Sequence, residues 1–268
     1  MVEATLSYLA RMSERPEYWL VEPPAGTRWR NTKGDRRAVD VHDARQLDPP
    51  PTLDREGFDL VHLETRAGNL YDPDEVREIY YAEVEDLVKR ATGASRVLVF
   101  DHNVRNADKN AAGEDGAQSP VKLVHCDYTV KSGPQRVRDL LPADEAEARL
   151  EKRYGSINVW RPIRGPVETK PLVICGYESI DDEDLVAAER HYPDGRVGGI
   201  YYLVHNPKQR WYYFPRMERD EVVLLKCFDS LTDGTARWTA HGSFDDPNSP
   251  PDATPRESIE IRTLMFCD

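Results

Sequence analysis

The sequence predicts a mainly β fold on two observations. After residue 150 the chain consists of short apolar runs of strand length, separated by turn signals such as Arg164-Gly165-Pro166 and Asp245-Asp246-Pro247-Asn248. Before residue 150 it contains two clear helix signatures. Many short strands with regular turns are typical of a β-sandwich or barrel. A double-stranded β-helix (jelly roll) with N-terminal and inserted helices fits this pattern.

Residues 1–60 are rich in Pro, Arg and Asp and contain few periodic segments. Glu22–Thr27 and Asp48–Pro51 indicate turns or extended linkers. We interpret this region as an arm that wraps over the barrel, with room for one hairpin. Covering the substrate is the alternative to a purely structural role.

A helix is predicted to begin at Asp72-Pro73 and to end at Gly93. Proline suits the first turn of a helix, and the apolar residues that follow recur at helical spacing. A buried strand is predicted at Ser95–Phe100. The polar, glycine-containing stretch 104–119 predicts a loop, and loops beside a barrel mouth commonly act as lids.

The second half of the chain predicts the barrel itself. Val124–Thr129 is read as a strand, Ser132-Gly133-Pro134 as a turn and Pro142–Leu150 as a helix. Seven later strands are predicted at Ser156–Trp160, Leu172–Tyr177, Gly199–Val204, Arg210–Phe214, Glu221–Cys227, Arg237–Phe244 and Ser258–Phe266. We expect a single domain over residues 1–268, with an N-terminal arm and helical layer (1–119) and a jelly-roll core (120–268).

Composition excludes several classes of protein. The net charge is −12 with dispersed acidic residues, which argues against binding to nucleic acid. No apolar run approaches the ~20 residues that cross a bilayer, and no signal peptide is evident, so we expect a cytoplasmic protein. The four cysteines are widely spaced and predict buried, reduced thiols. The expected partner is a small molecule; the sequence leaves a homo-oligomer open.

A His-x-Asp pair, His125 and Asp127, is the first candidate for chemistry. Alternate side chains of a strand share one face, so the imidazole and the carboxylate project into the same space. They would be two ligands of a 2-His-1-carboxylate facial triad, which holds Fe(II) and leaves positions open. The third ligand should be a lone histidine late in the chain, and His241 is the candidate. A structural polar pair on a half-exposed strand is the alternative for His-x-Asp alone.

Arg256 and Ser258 stand fifteen residues and more beyond His241, where a final strand begins. An arginine there can bind the far carboxylate of 2-oxoglutarate in a planar, bidentate manner. The final strand is expected to return antiparallel to the strand of His241, which brings Arg256 and Ser258 close to it. Arg262 would then lie about 20 Å from Arg256, at the other end and beside Glu260.

The order of these motifs resembles the CmcJ/AsaB-like family of non-haem iron oxygenases, which includes hydroxylase/desaturases. The matching segments are Val124–Thr129, Ile157–Pro162, Arg210–Tyr213, Leu225–Ser230 and Pro255–Arg262. The glycine-rich context of His241 departs from what we expect in relatives. The resemblance implies a dioxygenase that uses Fe(II) and 2-oxoglutarate to hydroxylate, desaturate or cyclise a small metabolite of a biosynthetic pathway.

Substrate contacts are predicted at Asn158, Trp160 and Arg161. Asn158 and Trp160 share one face of their strand and Arg161 takes the other, where it either binds a substrate carboxylate or is a buried structural arginine. With Arg136 and Arg138 it motivates the expectation of a carboxylate-bearing substrate. Two functional alternatives stay open: a non-catalytic jelly-roll binding protein, and a cupin-like metal enzyme that does not use 2-oxoglutarate.

Overall fold

The computed structural model describes residues 1–106 and 117–268. The strands in these ranges are β1 (Val2–Leu9), β2 (Glu17–Trp19), β3 (Gly34–Asp43), β4 (Phe58–His62), β5 (Arg96–Asn106), β6 (Ala117–Gln118), β7 (His125–Cys126), β8 (Tyr154–Pro162), β9 (Leu172–Cys175), β10 (Leu185–His191), β11 (Val197–Leu203), β12 (Trp211–Tyr213), β13 (Glu221–Asp229), β14 (His241–Ser243) and β15 (Glu257–Phe266). The helices are α1 (Pro73–Glu75), α2 (Tyr81–Thr92), α3 (Ser132–Leu140) and α4 (Ala143–Leu150), and one π-helical turn (Val76–Tyr80) joins α1 to α2. Within these two ranges, no helix has both the length and the apolar character needed to cross a membrane.

The strands form two sheets that pack face to face. The large sheet has the order β1-β3-β12-β9-β14-β7-β11-β10-β2, and the small sheet has the order β4-β13-β8-β15-β5-β6. Trp160 and Val223 of the small sheet share one buried apolar cluster with Ile174 and Tyr212 of the large sheet. Most neighbouring strands run antiparallel. The predicted mainly β jelly roll is therefore confirmed.

A helical layer covers the outer face of the small sheet. The Asp72 side chain caps the first turn by accepting two backbone N–H groups, and Gly93, with φ of +70°, ends α2 in the left-handed conformation. Val84 and Val88 of α2 pack against Ile259 and other apolar residues of the small sheet. This segment agrees with the helix that the sequence predicts.

The N-terminal region differs from its interpretation as an arm. β1 and β3 form an eight-residue antiparallel ladder at one edge of the large sheet, and β4 forms an edge of the small sheet. Ala4, Leu6 and Tyr8 alternate along β1 and are all buried, which is the pattern of a half-buried strand. The abundant Pro and Arg of the rest of the region concealed this short alternation. Strands that precede residue 119 in the chain and strands that follow it therefore contribute to both sheets.

Residues Ser132–Leu140 form helix α3 where the sequence predicted a turn. Pro134 lies in the first helical turn, where its missing N–H leaves no intrahelical bond unmade. Val137 is fully buried, and a Cβ on Gly133 would lie 2.7 Å from the Phe228 ring, so glycine is required for this close packing. The Ser-Gly-Pro sequence was read as a turn because these packing requirements are not visible locally.

The last strand also differs from expectation. β15 pairs with β5 and β8 in the small sheet, whereas β14 carries His241 in the large sheet, so the predicted antiparallel pairing of these two strands is wrong. The predicted loop 104–119 begins later, because β5 continues to Asn106. Its central part, residues 107–116, lies outside the described residues, and so does the predicted lid.

Candidate metal centre

Three side chains converge between β7 and β14. The two strands are neighbours, and His125 and His241 are directly opposed partners in the ladder. Their ring centroids are 4.7 Å apart, and Asp127 Oδ1 lies 3.5 Å from His125 Nε2. One ligand atom from each of the three residues can be chosen so that all lie within 4.8 Å of one another. The structure thus brings together the three residues predicted as ligands, although β7 ends at Cys126, before Asp127.

Both imidazole rings are held in the tautomer that a metal requires. His125 Nδ1 lies 2.8 Å from the Leu123 carbonyl oxygen, and His241 Nδ1 lies 3.0 Å from the Thr239 carbonyl oxygen. Because a carbonyl oxygen can only accept, each Nδ1 carries the proton and donates it. Each Nε2 is left with a free lone pair, the usual arrangement for a histidine ligand.

The electrostatic surroundings favour the metal-binding charge states. Burial lowers the pKa of His125, which keeps the imidazole neutral. Burial acts to raise the pKa of Asp127, but the adjacent His125 and His241 side chains and the positive charge of Arg262 outweigh it and hold the pKa well below its usual range. A neutral imidazole beside an ionised carboxylate matches the donor set of a divalent iron site.

Asn158 supports the carboxylate ligand from the opposite sheet. Its Nδ2 donates to Asp127 Oδ2 at 2.6 Å and lies 3.3 Å from Glu260 Oε1. The thiol of Cys227 donates to the same Asp127 oxygen at 3.7 Å, and burial raises the pKa of this thiol, so it stays a donor. The sequence assigned Asn158 to the substrate and did not identify Cys227, because nothing local shows that β8 and β13 face Asp127.

We expect Asn158→Ala to weaken Fe(II) binding about 10- to 100-fold, the usual cost of removing a group that orients a metal ligand. The loss arises because Asp127 Oδ2 keeps only the thiol as a donor and its carboxylate can rotate. Fe(II) titration under anaerobic conditions measures the effect, with Asn248→Ala, a change at an exposed loop asparagine, as the control. Equal iron affinity in both variants would contradict the assignment.

Arg256 lines the same cavity as the three predicted ligands, and Ser258 follows two residues later, in β15. Arg256 is only 6% exposed, stacks over the Trp160 ring at 5.5 Å and donates from Nη1 to the Lys170 carbonyl oxygen at 2.6 Å. Within the described ranges it forms no salt bridge, and its Nε and the Ser258 Oγ are buried without a hydrogen-bond partner. Burial and the charge of Arg105 lower the pKa of Arg256 to about 9.

This orphaned polar pair fits a dicarboxylate co-substrate. A buried guanidinium without a counter-ion is costly, and an incoming carboxylate would both neutralise it and accept from the free N–H and O–H groups. The three ligands would bind iron at one end of the same cavity. The residues present therefore fit Fe(II) and 2-oxoglutarate together.

Arg262 differs from its predicted position. It pairs with Glu260 at 3.5 Å, as expected, and with Asp101 at 3.2 Å. However, it also lines the metal cavity, so the expectation that the strand carries it away from the site is wrong. Burial acts to lower its pKa, but the charges of Asp127 and Glu260 outweigh burial and raise it. Unlike Arg256, Arg262 is already neutralised by carboxylates.

The other predicted substrate residues separate into two groups. Trp160 lines the metal cavity. Arg161 points to the opposite face of β8, where its guanidinium lies 5.3 Å above the Tyr80 ring and donates to the Arg219 carbonyl oxygen. It is buried, does not line the metal cavity and forms no salt bridge within the described residues, so the carboxylate partner that the structural interpretation expected is not found. Arg138 pairs with Glu147 at the surface.

The fold and the site together define a non-haem iron oxygenase. A family model described as "Oxidoreductase/YMDC permease-like domain" matches residues 6–266. The chain is 36% identical over 256 residues to the hydroxylase/desaturase efuI of Hormonema carpetanum (87% of this chain, 85% of that protein). It is 32% identical to the Fe(II)/2-oxoglutarate-dependent dioxygenase nvfI of Aspergillus novofumigatus (93% and 90%).

A solved structure agrees with these relatives. The iron and alpha-ketoglutarate-dependent endoperoxidase NvfI superposes with a TM-score of 0.87 at 30% identity, covering 99% of this chain and 97% of that one. The chain therefore belongs to the family of Fe(II)/2-oxoglutarate-dependent oxygenases that contains these fungal hydroxylase/desaturases. The predicted class of enzyme and its two cofactors are confirmed.

Proposed function

We propose that this protein is an Fe(II)/2-oxoglutarate-dependent dioxygenase that oxidises a small-molecule metabolite of a biosynthetic pathway. The observation that carries the proposal is the convergence of His125, Asp127 and His241 beside Arg256, a buried arginine without a counter-ion in the described residues. The names of the relatives support it, since they are hydroxylase/desaturases and 2-oxoglutarate-dependent dioxygenases.

Each residue of the site has a defined task. When bound, iron and 2-oxoglutarate supply the oxidising chemistry that removes hydrogen from an unactivated C–H bond. His125, Asp127 and His241 hold the metal from one side, and Asn158 fixes the carboxylate among them. Arg256 and Ser258 hold the distal carboxylate of the co-substrate. Trp160 and Leu172 contribute apolar wall to this cavity.

Finer parts of the proposal rest on the sequence. The order of motifs favours the CmcJ/AsaB-like branch of the family, and residues 1–268 would act as a single oxygenase domain. A cytoplasmic location and a homo-oligomer stay predictions. The outcome of the reaction is hydroxylation, desaturation or cyclisation, depending on where the substrate radical lies relative to the iron.

Two other functions compete with this proposal. A non-catalytic jelly-roll binding protein has no need for two imidazoles fixed in the metal-binding tautomer around an ionised carboxylate. A cupin-like enzyme without 2-oxoglutarate has no need for the unsatisfied Arg256 and Ser258. Both observations favour the dioxygenase.

An anaerobic titration tests the proposal directly. Adding Fe(II) and 2-oxoglutarate to the protein is expected to produce a weak visible charge-transfer band, because the keto acid chelates the iron. Succinate, which lacks the keto group, should produce no band and serves as the control. A protein that binds Fe(II) but gives no band with 2-oxoglutarate would support the cupin-like alternative, and one that binds neither would support the binding protein.

A further inference from the structure

A second cavity, here called the arginine cavity, extends from the metal centre towards the N-terminal strands. Its volume is about 880 Å³, within the usual range for small-molecule sites. His125 lines both this cavity and the metal cavity, so the two meet at the iron ligands. Tyr18, Tyr202 and Ile200 contribute aromatic and apolar wall. This is the space from which a substrate can reach the metal.

The charge of this cavity is opposite to that of the protein. The chain carries a net charge of −12. Among described residues, however, the charged side chains that line the arginine cavity are five cations and one carboxylate: Arg30, Arg105, Lys122, Arg190, Arg262 and Asp101. Lys122 pairs with Asp245 at 2.9 Å, and Arg262 pairs with Asp101 at 3.2 Å. Three arginines remain without a salt bridge in residues 1–106 and 117–268.

Two of these arginines flank a single tyrosine. Arg190 of β10 is the register partner of Tyr18 of β2, and Tyr18 also forms a β-bridge with Arg30. The guanidinium carbons of Arg30 and Arg190 lie 4.2 Å and 5.6 Å from the centre of the Tyr18 ring. Arg190 Nε is buried and has no hydrogen-bond partner among the residues that the structure describes. Backbone pairing therefore fixes two unneutralised cations on either side of one aromatic ring.

We propose that Arg30, Tyr18 and Arg190 form the subsite that binds a carboxylate of the substrate. The anion would bind beside Tyr18, and the apolar body of the substrate would lie along Tyr202 and Ile200 towards His125. This inference rests on the proposed function, because it treats the arginine cavity as the substrate site of an oxygenase. It replaces Arg136, Arg138 and Arg161, the arginines from which the sequence argued for the same substrate class.

The physical reason is the cost of the arrangement without a ligand. Arg30 is exposed and its charge is hydrated, whereas the buried Arg190 Nε–H lacks an acceptor among the described residues and loses its hydration. A carboxylate supplies that acceptor by binding the Arg190 guanidinium in a bidentate manner, and the charge of Arg30 adds to the attraction. Arg105 lines the metal cavity as well and is left out of the test, because its removal would affect both sites.

A matched pair of fluorescent probes tests the subsite without knowledge of the substrate. The probes are 1-anilinonaphthalene-8-sulfonate and N-phenyl-1-naphthylamine, which share one ring system and differ by the anionic group. We expect the anionic probe to bind the wild-type protein more tightly. Arg190→Gln should weaken its binding about tenfold, the value of one charge-assisted contact, and leave the neutral probe unchanged. Arg30→Gln should act in the same direction.

Further variants and competitors make the test specific. Arg190→Lys keeps the charge but loses the bidentate contact and should retain only part of the binding, whereas Arg138→Gln, which removes a surface arginine paired with Glu147, should change nothing. Octanoate should displace the anionic probe, and octanol and inorganic phosphate should not. Equal loss of both probes in Arg190→Gln, or displacement by octanol as efficient as by octanoate, would overturn the proposal.

The charge-transfer band separates this inference from the proposed function. Arg190→Gln should leave the band of Fe(II) with 2-oxoglutarate at wild-type strength, because Arg190 does not line the metal cavity. A wild-type protein without the band would refute the dioxygenase while the probe result still decided whether the subsite binds anions. A variant that loses the band together with anion binding would place Arg190 in co-substrate binding and overturn the inference.

Discussion

His241→Ala is expected to remove iron from the protein and to lower turnover by orders of magnitude. Only His125 and Asp127 would remain, and a facial site needs three protein ligands to hold Fe(II) on one side. His241 cannot be replaced by a neighbour, because it is buried, opposes His125 in the ladder and is fixed by its hydrogen bond to the Thr239 carbonyl. Metal analysis after anaerobic reconstitution and the charge-transfer band measure the loss.

His205→Ala is the matched control for this variant. His205 packs edge-on against Tyr8 with ring centroids 5.2 Å apart and does not belong to the cluster of potential ligands. It should therefore keep full iron content, and any effect should be limited to stability. The ligand assignment fails if His241→Ala retains iron and activity while His205→Ala loses both.

Much of the metal centre could be predicted because it depends on short-range geometry. The two-residue period of a strand places His125 and Asp127 on one side, and Cys126 on the other, in a separate apolar cluster. His125 and Asp127 share one side even though strand β7 ends at Cys126. The third predicted ligand, His241, and the Arg256-x-Ser258 motif were inferred from their order in the chain, which resembles that of the family.

The rest could not be predicted, because it depends on which strands pair and which faces meet. No local pattern shows that β14 and β15 belong to different sheets, so the reason given for placing Arg256 near His241 was wrong even though the two residues share a cavity. The contact between Asn158 and Asp127 crosses from one sheet to the other. The flanking of Tyr18 by two arginines joins segments more than 150 residues apart in the chain.

Arg256, which immediately precedes β15, and Arg262, which lies in β15, illustrate this limit of sequence-based prediction most clearly. From parity alone Arg256 and Arg262 were equivalent, and their separation was estimated from the rise of a straight strand. In the structure both line one cavity, and what distinguishes them is their partners. Arg262 is neutralised by Asp101 and Glu260, whereas Arg256 has no carboxylate partner among the described residues.

This difference predicts that Arg256→Ala reduces the affinity for 2-oxoglutarate and leaves iron bound. Removing one partner of a charge-assisted, enclosed contact commonly costs about 2–5 kcal/mol, which corresponds to an increase in Kd of about thirtyfold or more. Titration of the charge-transfer band with 2-oxoglutarate measures the Kd, and metal analysis confirms that iron is retained. Arg256→Lys should recover only part of the affinity, since an ammonium group cannot form the bidentate contact.

Arg262→Ala is the comparison that decides the assignment, and thermal unfolding separates the two roles. The ligand-free Arg256→Ala protein should be about as stable as wild type, because it loses a buried charge that had no counter-ion. Arg262→Ala should be less stable, because Asp101, Glu260 and the nearby Asp127 lose a neutralising cation. 2-Oxoglutarate should raise the melting temperature of iron-loaded wild-type protein and of Arg262→Ala more than that of Arg256→Ala. A larger loss of 2-oxoglutarate affinity in Arg262→Ala than in Arg256→Ala would show that Arg262 holds the co-substrate.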